Sequence, residues 1–142
     1  MFITDQSMTM KIGQTKTIVF ASNGSLKKDG SNVMGKGVGH ALSHVVSTLP
    51  QIFGKAVKQN GNKCYAVKFM SFTFISFPTK HNYWEPEDRN LILKSIEDLK
   101  PLLKDLGGGE ISIEYPYLDK HIDTEVLEKL ESLGDNVCVY LK

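Results

Sequence analysis

Stretches with the two-residue rhythm of a strand and stretches with the 3.6-residue rhythm of a helix take turns along this chain. The run KTIVFAS, residues 16–22, is rich in β-branched and aromatic residues and stops at Asn23-Gly24, which predicts a strand. A first strand is predicted ahead of it in SMTMKI, and the polar SLKKDGSN after it reads as a loop. From Val38 onward, VGHALSHVVSTL sets Val38, Leu42 and Val45 or Val46 on one face, a short helix predicted to end at Pro50. PQIFGKAVKQNGN predicts further helix up to Asn60-Gly61.

KCYAVKF and FTFISF predict two strands with a tight connection. PTKHNYWEPED follows as a loop whose Pro86 and acidic residues suit a helix start. In RNLILKSIEDLKPLLKDL, Leu91, Ile92, Ser95, Ile96, Leu99 and Leu102 or Leu103 recur at helical spacing. Pro101 is expected to kink that helix and the glycines at 107–109 to end it. EISIEY predicts a strand, DTEVLEKLESL a helix capped by Asp123 or Thr124, and NVCVYL a closing strand. The order β, β, α, α, β, β, α, β, α, β predicts one α/β domain over residues 1–142, three layers (α/β/α) around a mixed central sheet.

Composition narrows the function. The chain has 142 residues, 41% of them hydrophobic and 23% charged, as expected of one globular domain. A net charge of +1 supplies no strong general attraction to nucleic acid or to a membrane surface, so nucleic acid would have to be met through a specific pocket. No run approaches the ~18 apolar residues of a membrane span, and MFITDQSMTMK lacks the build of a secretory signal. Cys64 and Cys138 fall in strand-like runs and read as reduced core thiols of a cytoplasmic protein. His40 and His44 stand four apart in HALSH without the glutamate of a zinc-protease helix, so neither metal nor cofactor is expected.

In α/β sheets, ligands bind beyond the carboxyl ends of strands. Three polar segments occupy such places: ASNGSL with the glycines after it, FPTKHNYW, and YPYLDKHID. Asn23 suits either vicinal sugar hydroxyls or a left-handed turn. Gly35, Gly37 and Gly39 in VMGKGVGHAL either form a ligand-free turn or leave backbone amides bare for an anion at a helix start. Lys80 is either a solvated surface lysine or a nucleophile beside His81 and Trp84. Tyr83 and Trp84 fit a stacking surface or a packed edge equally well. Asp119, His121 and Asp123 are candidates for acid–base work, against turn and cap roles.

Together these segments resemble the macro domain, the ADP-ribose-binding module. IVFASNGSL looks like the family's first ligand loop, with Asn23 at the second asparagine of Asn-Ala-Ala-Asn and Phe20 in place of the first. VMGKGV looks like the phosphate-approaching loop of the DNA-ADP-ribose antitoxin and lysine-dependent hydrolase branch, and FPTKHNYWEPED is similar to that branch's Phe-Pro-Thr-Lys segment and tryptophan. The resemblance implies that ADP-ribose, free or on a macromolecule, is the partner of a monomeric chain. Ala21, Asn23, Met34, Gly35, Lys36, Gly37, Val38, Thr79, Lys80, Trp84, Tyr117 and Leu118 would line its site. Lys80 would attack the anomeric carbon, with Asp119 or Asp123 assisting.

Two departures separate this chain from the pattern. IGQTK offers Gln14 where relatives carry the aspartate that receives adenine, and PYLDKHIDTEV has no glycine where relatives carry a second diphosphate loop. The resemblance therefore leaves four activities: removal of ADP-ribose from a macromolecule, hydrolysis of ADP-ribose 1″-phosphate, binding without turnover, and a scaffold on a relict fold.

Overall fold

β-branched and aromatic residues concentrate in two runs, and these become the middle of a sheet. The computed structural model describes residues 2–4, 6–106, 108–119 and 121–141. Its strands are β1 (Phe2–Thr4), β2 (Thr17–Asn23), β3 (Ala66–Phe69), β4 (Phe72–Lys80), β5 (Ile111–Glu114) and β6 (Val137–Tyr140). Its helices are α1 (Val38–Val45), α2 (Leu49–Asn60), α3 (Arg89–Lys104) and α4 (Thr124–Glu131). Among the described residues the six strands form one sheet in the order β1-β6-β5-β2-β4-β3, and all neighbours are parallel except β3 against β4. A parallel sheet needs cover on both faces, which explains why β2 and β4 are buried almost throughout.

Alternation along β2 divides the core in two. Val19 faces α3 and α4, where Ile92, Ile96, Leu99, Val126 and Leu130 are buried. Ile18 and Phe20 face the other layer, where Val38 and Leu42 of α1 meet Leu49 and Phe53 of α2. Phe20 meets Phe53 edge-on at 5.3 Å between ring centres. Each such side chain contributes about 1.5–3 kcal/mol through burial, and these apolar faces hold the three layers together.

The carboxyl end of the β2–β4 pair has an irregularity that shapes the site. Ser22 pairs with Pro78, but Asn23 pairs with Lys80, so β4 carries one extra residue at that step. Pro78 brings no N–H to the ladder, and a bulge is where a strand tolerates that loss. The extra residue resets the alternation of faces and re-aims Thr79 and Lys80.

Three expectations are corrected. SMTMKI is no strand: Met8–Lys11 forms a turn of 3-10 helix with Met8 buried, and the edge strand is Phe2–Thr4, registered against Cys138 to Tyr140. Its partner lies at the far end of the chain, beyond the reach of local pattern. Pro50 does not end α1 but sits in the first turn of α2, where a missing N–H is harmless. α3 holds Pro101 in its last turn and runs on to Lys104, at the cost of the N–H that residue 101 would otherwise donate. α3 then ends at Asp105, before the glycines, of which Gly107 lies outside the described residues. Cys64 and Cys138 are buried free thiols.

Candidate ligand cleft

The carboxyl ends of β2, β4 and β5 border a cleft of about 280 Å³. Asn23 organises its first wall. Its Oδ1 accepts from the Ser25 N–H at 2.9 Å and its Nδ2 donates to the Val33 carbonyl at 3.0 Å. Buried Asn32 donates to the carbonyls of Asn23 and Ser25 at 3.0 and 2.9 Å. These bonds tie the exit of β2 to the segment entering the glycine turn, so the Asn23 amide serves the loop itself.

The glycines are bare for different reasons. Gly35 has φ +73°, a left-handed conformation. Gly39 is buried where a Cβ would lie 2.7 Å from the Met34 carbonyl and 3.1 Å from the Phe20 ring. Gly37 caps α1 without a side chain, and a Cβ there would lie 2.9 Å from Oε2 of Glu114. Glu114 ends β5, lines the cleft and accepts from the Ala21 N–H at 2.7 Å. Burial pushes its carboxyl above the usual glutamate range, while the backbone N–H groups of Ala21 and Val38 pull it back. The turn amides expected to face a pyrophosphate thus include one, on Val38, that already faces a carboxylate.

The opposite wall comes from the bulge. Thr79 Oγ1 donates to the Ser22 carbonyl at 3.4 Å, and the Thr79 carbonyl accepts from the Asp88 N–H at 2.8 Å. Asp88 caps α3 through the N–H groups of Asn90 and Leu91. Lys80 Nζ lies 3.6 Å from Oε2 of Glu87, with side chains only 18% and 13% exposed. Lys80, on the cleft wall, is therefore a half-enclosed side chain held by the Glu87 carboxylate, not a freely solvated surface lysine.

A wider surface groove of about 470 Å³ lies at the amino ends of β5 and β6, beside Lys100, Leu103 and Asn136. It is at the wrong end of the strands for a ligand site of an α/β sheet and holds no carboxylate, histidine or thiol. Of the two, the smaller cleft is the one that holds a carboxylate, that of Glu114.

This arrangement superposes on the macrodomain of Mycobacterium tuberculosis DarG with a TM-score of 0.76 at 21% identity, over 98% of this chain and 97% of that one. The chain has the macrodomain fold. Thermosipho africanus DarTG, solved in complex with ADP-ribose, gives a TM-score of 0.76 at 16% identity, over 97% of this chain and 40% of that one. A macrodomain protein from Streptomyces coelicolor gives 0.64 at 14% identity, over 98% of this chain and 96% of that one. No protein-family model and no curated protein sequence matches the chain, so the likeness is carried by structure.

Within the macrodomain fold, Ala21, Asn23, Met34, Gly35, Lys36, Gly37, Val38, Thr79, Lys80 and Leu118 line the cleft. Four other sequence candidates do not. Trp84 is 68% exposed and packs edge-on against Tyr83, which does line the cleft. Tyr117 is buried and donates its hydroxyl to Asp123 at 3.0 Å. Asp123 caps α4 through the Val126 N–H and accepts from Arg89 at 2.8 Å, which holds its carboxyl below the usual range. Asp119 is exposed and accepts from His121 Nδ1 at 2.7 Å, which likewise lowers its carboxyl. Sequence reasoning missed Glu114 and Glu87. A charge closing the otherwise buried run ISIE was the available signal for Glu114; Glu87 sat among acids read as a helix start.

Among the described residues, no group of three or more His, Cys, Asp or Glu is placed to hold a metal ion, and no helix is long and apolar enough to cross a membrane.

Proposed function

We propose that the cleft binds ADP-ribose and that Lys80 removes it from a macromolecule. The observation carrying this reading is the meeting, in a macrodomain fold, of the glycine turn and a half-enclosed lysine across one cleft. Further support comes from Thermosipho africanus DarTG, a protein of the same fold that holds ADP-ribose. Gly35 adds no side chain to the lip, and a Cβ there would meet nothing within 4 Å, so the lip stays open for a diphosphate beside Lys36.

In the reaction, the Lys80 amine forms a bond to the anomeric carbon of the terminal ribose as the bond to the acceptor breaks. The acceptor leaves with that electron pair and takes up a proton. Water then cleaves the lysine adduct, releasing ADP-ribose and the free amine. Lys80 must first lose a proton, and Glu87, 3.6 Å from Nζ, is the carboxylate placed to receive it. Asp119 is paired with His121 and Asp123 with Arg89, so Glu87, the carboxylate paired with Lys80, takes the assisting role in this reading.

Lys80→Ala is expected to keep ADP-ribose binding in calorimetry and to lose at least a hundred-fold in release from ADP-ribosylated DNA or protein. Full turnover by Lys80→Ala refutes the lysine mechanism. The missing second glycine loop favours a second reading, a binder without turnover. Tight binding by the wild-type protein with no product from any such substrate selects it.

A further inference from the structure

We infer that Glu114 selects the end of the nucleotide sugar that enters the cleft: its carboxylate fills the seat an anion would take and presents an acceptor to sugar hydroxyls, so the buried end of the ligand is an uncharged diol. This deepens the ADP-ribose reading and rests on it.

The sequence of β5 already contains the anomaly. Ile111, Ser112 and Ile113 are buried, and a half-buried glutamate ends the strand. A carboxylate taken out of water is costly unless hydrogen bonds replace the water. Here the replacements are backbone. Ala21 of β2 donates to Oε1 at 2.7 Å, and the N–H of Val38, first residue of α1, faces the same group. The first N–H groups of a helix have no partner within it and carry its positive end, and Gly37 brings no side chain to cap them. A carboxylate from a neighbouring strand therefore does at this terminus what a bound phosphate would otherwise do.

Two further observations point to a ligand rather than to capping alone. Glu114 Oε2 lies where a Cβ on residue 37 would be only 2.9 Å away, so the bare lip of the cleft and the carboxylate occupy one place. Ser22 lines the same cleft, is 8% exposed, and has a buried Oγ without a hydrogen-bond partner. Register puts Ser22 and Glu114 on one face of the sheet: Ser22 is two residues beyond Phe20, and Glu114 follows Ile113, the partner of Val19. An acidic acceptor with free lone pairs, sharing a cleft and a sheet face with an unpaired hydroxyl, is a site for adjacent sugar hydroxyls. A phosphoryl group brought there meets like charge in a poorly hydrated place. Lys36, on the glycine turn, leaves the diphosphate at the lip rather than on the floor. The substrate class follows: a ribose joined at its anomeric carbon through an uncharged linkage, not one carrying a phosphate there.

The test is calorimetry of wild type and Glu114→Gln with ADP-ribose and with ADP-ribose 1″-phosphate. Backbone amide shifts of Ala21 and Val38 are followed in parallel during titration with inorganic phosphate. Wild type should prefer ADP-ribose at least ten-fold, and Glu114→Gln should bring the two ligands within about three-fold. Phosphate should move the two amides only in the variant. Equal affinities in wild type overturn the inference whatever the variant does, as does an unchanged ratio in a folded variant. If neither protein binds a nucleotide sugar while phosphate moves the Glu114→Gln amides alone, the seat assigned to Glu114 is supported and the ADP-ribose reading fails.

Discussion

Gly39→Ala tests how the glycine turn is locked to α1. The added Cβ would lie 2.7 Å from the Met34 carbonyl oxygen and 3.1 Å from a ring carbon of Phe20, itself one of the largest fully buried side chains. The carbonyl belongs to the backbone of the turn, and the ring is wedged against Phe53, so neither yields freely. Overpacking of this kind costs about 1–3 kcal/mol. At roughly 2–4 °C per kcal/mol for a chain of this size, Tm should fall by about 2–12 °C. Displacing Met34 also moves the cleft lip, so ADP-ribose affinity should fall with stability. Gly35→Ala is the control: its Cβ meets nothing, and only the positive φ is penalised, by about 1–2 kcal/mol. Differential scanning calorimetry of both variants reads the effect. A Tm for Gly39→Ala within 1 °C of wild type would refute the packing argument.

Three further outcomes follow from other parts of the molecule. The Glu114 carboxyl is raised by burial, so it favours the folded state below its unfolded value and loses that contribution as pH rises through the folded one. Urea denaturation should show wild type gaining on Glu114→Gln between pH 7 and pH 4, by about 1.4 kcal/mol for each tenfold by which burial weakens the acid; Lys36, Lys80 and Tyr83 on the same wall are common to both proteins and cancel, and a flat difference contradicts the burial. Asp123→Ala removes the cap of α4 and the partner of Arg89, at a cost of about 1–2 kcal/mol at neutral pH; because Arg89 lowers the Asp123 carboxyl, that cost should shrink as acid protonates it, and an undiminished cost at pH 3 contradicts the assignment. Burial pushes the Cys64 thiol up to about 12, leaving about one thiolate in ten thousand at pH 8, so the folded protein should resist Ellman's reagent there, and rapid labelling of Cys64 under native conditions refutes its burial.

Much of the fold was legible because its elements have strong local signatures. KTIVFAS, the α3 repeat from Leu91 to Leu99, and the cap at Asp123 each state their element within a few residues. Phe2–Thr4 was not legible, since three residues carry no period and their partner is at the other end of the chain. Glycine spacing marked the cleft lip, and the exits of two strands marked its walls. Local sequence could not reveal that Glu114 reaches Ala21, 93 positions away, because that contact depends on which strands become neighbours. The bulge that places Lys80 opposite Asn23 is equally a property of the pairing. Asp119 and Asp123 looked catalytic by residue type; in three dimensions one pairs with His121 and the other holds α4 and Arg89.

Backbone amide spectra recorded during titration of the wild-type protein with ADP-ribose bear most directly on where the ligand sits. Saturable shifts should appear at Gly35, Lys36, Gly37 and Ala21, with little change beside Lys100 and Asn136. Shifts confined to the groove at the amino ends of β5 and β6, or none at millimolar ligand, would contradict the account.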